Sequence, residues 1–156
     1  MHEALSRKGR RYGREPLSLP LIVAVLTTSG FVNEDDVTDA VFGRKEYEWY
    51  AGDPDSVRLL RKPNGYWRGD WSVDAPQRGT RVSAALFGPN IRCDRVPAKL
   101  PQLWINPWAA VPFNQDDGFT TTTVRDDDGE IIRNEGTLRA PAVFSLDPAW
   151  PFFSEM

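Results

Sequence analysis

The chain has 156 residues, enough for one hydrophobic core and too few for two comfortable domains. Hydrophobic residues at 40%, charged residues at 26% and a net charge of −3 are ordinary globular values and exclude a disordered chain. One cysteine, Cys93, excludes an internal disulfide, and no apolar run approaches the ~20 residues of a membrane span. The expectation is a soluble, cytoplasmic protein.

Arg7, Lys8, Arg10, Arg11 and Arg14 crowd the N-terminus against Glu3 and Glu15. Glu3 to Tyr12 reads as a short basic helix with Ala4, Leu5, Lys8 and Tyr12 on one face, ended by Gly13. Pro16 and Pro20 bracket an extended connection. Leu21–Leu26 is then a continuous apolar run, which suits a central strand covered on both sides. The next element has Asn33 as N-cap, Glu34, Asp35 and Asp36 in its first turn, Val37, Ala40 and Val41 as its stripe, and Gly43 past its end.

Beyond Gly43 the texture is β-like. Tyr47, Trp49 and Val57–Lys62 read as strand material broken by Asp53-Pro54-Asp55-Ser56, and Asn64-Gly65 is a type I′ turn signal before Tyr66-Trp67. Arg81–Phe87 is the second central-strand candidate. Five prolines between Pro89 and Pro112 restrict the following stretch to a turn of helix near Arg95–Leu100 and a short strand at Leu103–Ile105. Phe119–Val124 and Ile131–Asn134 flank Asp126-Asp127-Asp128-Gly129 as a hairpin with an Asp-Gly turn, and Val143–Phe153 is an apolar, aromatic tail.

These elements predict an α/β fold: a single domain with a mixed β-sheet, two buried central strands, one or two flanking helices and peripheral β-hairpins. Residues 1–15 would be the basic helix, 16–113 the main sheet region and 114–156 the hairpin and tail.

Chemistry is harder to find. The only histidine, His2, sits beside Met1, far from any arrangement that activates a nucleophile. Arg92 and Arg95 flank Cys93 and would lower its pKa, although an incidental thiol is the plainer reading. Asp126–Asp128 lack the alternating spacing of a calcium loop and read as a turn, as does Asp53-Pro54-Asp55. Gly9, Gly13, Gly30, Gly43 and Gly52 never fall into a nucleotide-binding fingerprint, so no cofactor is expected. Trp67, Trp71, Trp104 and Trp108, interleaved with Arg68, Arg78 and Arg81, allow a stacking surface for single-stranded nucleic acid, with core or lid packing as the favoured alternative.

Taken in order, Lys8-x-x-x-Tyr12-Gly13, LPLIVAV, the acidic-start helix ending in Ala40-Val41-Phe42-Gly43, Gly65-Tyr66-Trp67, Arg81–Leu86, LPQLWINPWA and Leu146-Asp147-Pro148-Ala149-Trp150-Pro151 resemble a group of uncharacterised bacterial proteins that looks like a lineage of PD-(D/E)XK nuclease-like domains. The resemblance runs over nearly the whole chain and rests on scaffold residues. It implies that the catalytic part, a metal-binding Asp followed by Asp/Glu-x-Lys on the next strand, would precede the helix, so that the chain corresponds to the carboxyl-terminal half of that domain. Two positions before each lysine stand Ser6, Gly43, Leu60 and Pro97; none is acidic, and a metal-assisted hydrolysis has no ligand set of that pattern.

The functional expectation is a non-catalytic, nuclease-like binding module, without a catalytic or metal site, whose partner is a protein or a second copy of the chain, with nucleic acid a further option and no membrane. If nucleic acid is bound, Arg7, Lys8, Arg10, Arg11 and Arg14 are the residues to carry it. The competing class is a hydrolase using the acidic clusters and a metal. A shortened gene product that folds only as a homo-oligomer is the third.

Overall fold

The computed structural model describes residues 1–11, 16–27, 32–53, 55–67, 78–88, 100–114, 118–125 and 129–147. Their elements are α1 (His2–Arg11), β1 (Ile22–Leu26), α2 (Glu34–Phe42), β2 (Lys45–Glu48), β3 (Arg58–Arg61), β4 (Ala84–Gly88), β5 (Gln102–Ile105), β6 (Thr121–Val124), β7 (Ile131–Asn134) and α3 (Ala140–Val143). Five strands form a mixed sheet in the order β1-β4-β5-β6-β7, and β2 and β3 form a separate two-stranded sheet. β1 runs parallel to β4 and β5 to β6, whereas β4–β5 and β6–β7 are antiparallel. Parallel neighbours need a crossover connection, and α2 with the β2–β3 hairpin lies in the one between β1 and β4.

The core follows from strand register. Val23, Ala85, Trp104 and Thr122 are successive partners across four strands and therefore share one face. Helix α2 covers that face: the Trp104 Nε1–H donates to Thr38 Oγ1 at 3.2 Å, and the Gln102 amide donates to the Glu34 carboxylate at 2.6 Å. Val37, Val41 and Phe42 are fully buried there with Trp67 and Trp104. The rings meet tilted or edge-on, Phe42 with Trp67 at 5.4 Å and Phe87 with Trp104 at 5.8 Å, arrangements that add to simple burial.

The punctuation of α2 is as its sequence predicts. Asn33 Oδ1 accepts from the Asp36 N–H at 2.9 Å, and the Asp36 carboxylate accepts from the Asn33 N–H at 3.0 Å, a reciprocal capping box. At the other end, Gly43 adopts φ 90° and ψ 151°, and a Cβ on it would stand 1.9 Å from the Lys62 carbonyl oxygen.

Several local expectations are corrected. Leu21–Leu26 was expected to be central, but β1 lies at the end of the strand order. Only Val23 is buried there, while Ile22 and Leu26 remain 39% and 61% exposed; the interior strands are β4, β5 and β6. Asn64-Gly65 forms no type I′ turn, since neither residue has the positive φ that such a turn requires. Instead residues 63–67 cross the end of α2. The Asn64 side chain accepts from the Arg44 N–H at 3.0 Å, and the N–H groups of Tyr66 and Trp67 donate to the Ala40 and Val41 carbonyls at 2.9 and 3.0 Å. Two acceptors of the last helical turn, which have no partner inside the helix, are satisfied in this way.

The second strand is shifted, starting at Ala84 because residues 80 and 81 form a turn. β6–β7 is a hairpin, but the Gly129 N–H bonds the Arg125 carbonyl four residues back, which closes a longer loop than a two-residue Asp-Gly turn. The tail expected from Val143 is preceded by α3. Tyr12, Gly13, the turn near Arg95–Leu100 apart from Leu100 itself, Asp126–Asp128 and residues 148–153 lie outside the described residues.

Candidate functional site

Two exposed features stand out, one basic and one aromatic. The basic one is α1. Its sequence has no proline and no β-branched residue, Glu3 lies in the first turn, and Lys8, Arg10 and Arg11 lie in the last, where cations suit the helix dipole. Leu5 and Gly9 form its buried line. Gly9 is a weak helix former, yet a Cβ there would stand 2.8 Å from Tyr66 Oη and 3.2 Å from Val82 Cγ2, so a bare backbone lets α1 lie close against the core. Tyr66 donates its hydroxyl to the Leu5 carbonyl at 3.3 Å and meets the His2 ring edge-on at 5.4 Å.

At about 3.6 residues per turn, Arg7, Arg10 and Arg11 fall opposite Leu5 and Gly9. They are exposed, and Lys8 is half-buried on the flank. Among the described residues no carboxylate pairs with any of the four. Arg14 lies outside the described residues. The structure thus brings four of the five sequence-predicted basic residues onto one short helix, with three of them in one outward row.

The aromatic feature escaped the sequence reading. The β2–β3 hairpin forms an arm apart from the main sheet, and Tyr47, Trp49, Tyr50 and Val57 on it are 58%, 69%, 69% and 58% exposed. Its loop is internally bonded: Ser56 Oγ accepts from the Tyr50 N–H at 2.9 Å and donates to the Asp53 carbonyl at 2.6 Å, while Asp53 Oδ1 accepts from the Asp55 N–H at 3.1 Å. Trp49, Tyr50, Gly52, Asp53 and Val57 line a shallow depression of about 350 Å³. Glu46, Glu48, Asp53 and Asp55 are exposed on the same hairpin, as are Lys45 and Arg58, with Arg58 directly opposite Glu48 in register and Glu46 paired to Lys62 at 2.5 Å.

Arg61 fastens the base of the arm. Only 4% exposed, it donates from Nε to the Gly129 carbonyl at 3.1 Å and from Nη1 to the Gly43 carbonyl at 2.8 Å and Asp39 Oδ1 at 3.3 Å. Burial lowers its pKa from the ordinary arginine value, with the Asp39 carboxylate acting in the opposite sense. A guanidinium in this setting is a structural cation whose donors tie β3 to two other segments, the end of α2 and the β6–β7 loop.

The stacking surface considered for Trp67 and Trp104 is corrected, since both are buried in the core and offer no ring face to a base; Trp108 is half-buried against the same core. Trp71, Arg68 and Cys93 lie outside the described residues. No three His, Cys, Asp or Glu side chains lie together to hold a metal ion among the described residues. In a cleft of about 220 Å³ between Gln102, Thr120, Leu138 and Arg139, the Thr120 hydroxyl accepts from the Gly136 N–H at 3.1 Å, and Arg139 Nη1 turns onto the Gly136 and Leu138 carbonyls. No helix among the described residues is long and apolar enough to cross a membrane. Compared with known proteins, the chain matches no family model, no curated protein and no solved structure.

Proposed function

We propose that the protein is a non-catalytic binding module that docks another protein through the β2–β3 arm. The observation that carries this reading is the joint exposure of Tyr47, Trp49, Tyr50 and Val57 on one hairpin with an internally bonded loop. Tryptophan and tyrosine dominate binding energy at protein interfaces, and large exposed apolar patches mark such sites. Trp49 is 69% exposed, so covering the roughly 140 Å² that remains of its side chain contributes roughly 3 kcal/mol at about 25 cal/mol per Å². An exposed ion pair at α1 contributes about 1 kcal/mol or less. On these magnitudes the arm supplies affinity, and the basic row supplies steering and salt dependence.

Site-specific photocrosslinking in the native host tests this reading. A photoreactive residue at position 49 should yield discrete protein adducts that are absent when it stands at Asn134, which is exposed on β7. Equal yields at both positions, or none at position 49, would sink it.

One observation favours a second reading, the row of Arg7, Arg10 and Arg11 without carboxylate partners among the described residues. Such a row suits a phosphate backbone, with weak, sequence-independent binding that falls steeply with salt. Retention of a DNA or RNA probe at low salt, lost in Arg10→Ala/Arg11→Ala/Arg14→Ala, would favour nucleic acid over protein as the partner.

A further inference from the structure

We infer that strand β1 pairs antiparallel, edge to edge, with β1 of a second copy of this chain, joining the two sheets about a two-fold axis at Ala24. This surface is separate from the arm and does not depend on it. Backbone direction supplies the first argument. The Leu21 carbonyl accepts from the Ala84 N–H at 3.3 Å, and the Thr27 N–H donates to the Gly88 carbonyl at 3.2 Å. The odd-numbered residues of β1 therefore face β4, and the N–H and C=O groups of Ile22, Ala24 and Leu26 point outward along the edge. No strand lies on that side among the described residues.

Sheet edges that must stay single are blunted with charge, proline or a bulge. The opposite edge follows that rule: β7 carries Arg133, which pairs with Glu34 and Glu135. β1 does not. Its sequence Ile-Val-Ala-Val-Leu contains neither charge nor proline, and its register with β4 is unbroken. Its outer side chains are uncovered as well, with Ile22 39% and Leu26 61% exposed, the latter opposite Gly88, which has no side chain to shield it. Outward backbone groups beside bare apolar side chains form a template for one more strand.

The strand's own sequence names that strand, because it reads nearly alike in both directions and a two-fold contact needs a self-complementary surface. Centred on Ala24, an antiparallel pair sets Ile22 against Leu26, Val23 against Val25 and Ala24 against its own copy. Each outward-facing residue then exchanges both backbone bonds with its opposite, and no like charges meet. A slip of one residue would set outward groups against groups committed to β4. A slip of two toward the N-terminus would bring Leu26 opposite Pro20, which has no N–H to give. A pair of five-residue strands is about 17 Å long, well short of the ~800 Å² per partner of a standard interface, so micromolar or weaker affinity is expected.

Sedimentation velocity of the full chain from about 1 μM to about 1 mM tests the inference. The wild-type protein should dimerise with little dependence on salt, because the contact holds no charge. Ala24→Lys and Ala24→Glu should each be monomeric, since each sets like charges opposite one another at the axis. Mixing the two should restore a one-to-one complex. Should either charge unfold the chain, as checked by near-ultraviolet circular dichroism, cysteine scanning in a Cys93→Ser background keeps the test open. Oxidation should crosslink Ala24→Cys to its own copy, whereas Ile22→Cys, about 14 Å from its counterpart across the axis, should stay uncrosslinked. A chain monomeric at every concentration, a Lys–Glu mixture without a complex, or equal crosslinking at positions 22 and 24 would overturn the inference. So would loss of association in Trp49→Ser/Tyr50→Ser, which would assign the contact to the arm.

Discussion

A few residues set the local geometry on which everything else depends, and Gly43 is the least replaceable of them. Its φ of 90° with ψ of 151° is a conformation essentially reserved for glycine, and its missing side chain makes room for the Lys62 carbonyl. Gly43→Ala should cost about 3 kcal/mol or more, read as a fall in the urea midpoint; an unchanged midpoint would mean that the segment carrying Lys62 does not lie over the end of α2. Asn33→Ala removes one side of the capping box and should cost about 0.5–2 kcal/mol, checked in the same titration. Tyr66 makes a pH prediction. Burial raises the pKa of its phenol above the ordinary value of 10.0, with nearby Arg10 opposing the shift. The folded state thus holds the proton more tightly than the unfolded chain. The stabilisation is fully present below the unfolded pKa and is lost as pH rises through the folded one. Wild-type stability should therefore fall above about pH 10, and Tyr66→Phe should flatten that fall while costing about 1 kcal/mol or less at neutral pH, because the hydrogen bond it removes is long at 3.3 Å. A Tyr66→Phe profile that parallels wild type would assign the alkaline loss to another group.

At the scale of elements, the arm and α2 show opposite relations between sequence and structure. α2 was legible because its signals are local: Asn33 and Asp36 cap each other across three residues, and the buried positions Val37 and Val41 recur at helical spacing. Strand β1 reads as central from its sequence because a run apolar on both faces looks the same whether the second face is covered by the same chain or left open, as Ile22 and Leu26 are. The arm reads as ordinary strand material for a related reason. Tyr47 and Trp49 have good β propensity, and nothing local says that their neighbours in space are solvent. The basic row of α1 is legible from spacing, whereas its lack of carboxylate partners among the described residues is a tertiary fact. Because the arm rings bury little in the folded chain, Trp49→Ser/Tyr50→Ser should leave the melting temperature nearly unchanged while weakening docking. A large loss of stability in that variant would show the rings to be packing residues.

For the whole molecule, the arrangement is that of a scaffold with one helix-covered sheet face and two exposed features of opposite character. Purified protein is expected to show no divalent-metal-dependent cleavage of DNA or RNA, since no lysine follows an acidic residue at the Asp/Glu-x-Lys spacing. Cleavage that survives re-purification and disappears when Asp126–Asp128 are neutralised would reverse that expectation. The buried guanidinium of Arg61 reaches Asp39 and the Gly43 carbonyl at the end of α2 as well as the Gly129 carbonyl of the β6–β7 loop, so the root of the arm is tied to the body while the loop from Tyr50 to Ser56 makes its hydrogen bonds within itself. That division separates inheritance of the fold from inheritance of specificity. Arg61 at the root is costly to replace because its three acceptors would be left unmatched, whereas a new recognition sequence placed between Trp49 and Val57 leaves every one of those bonds in place.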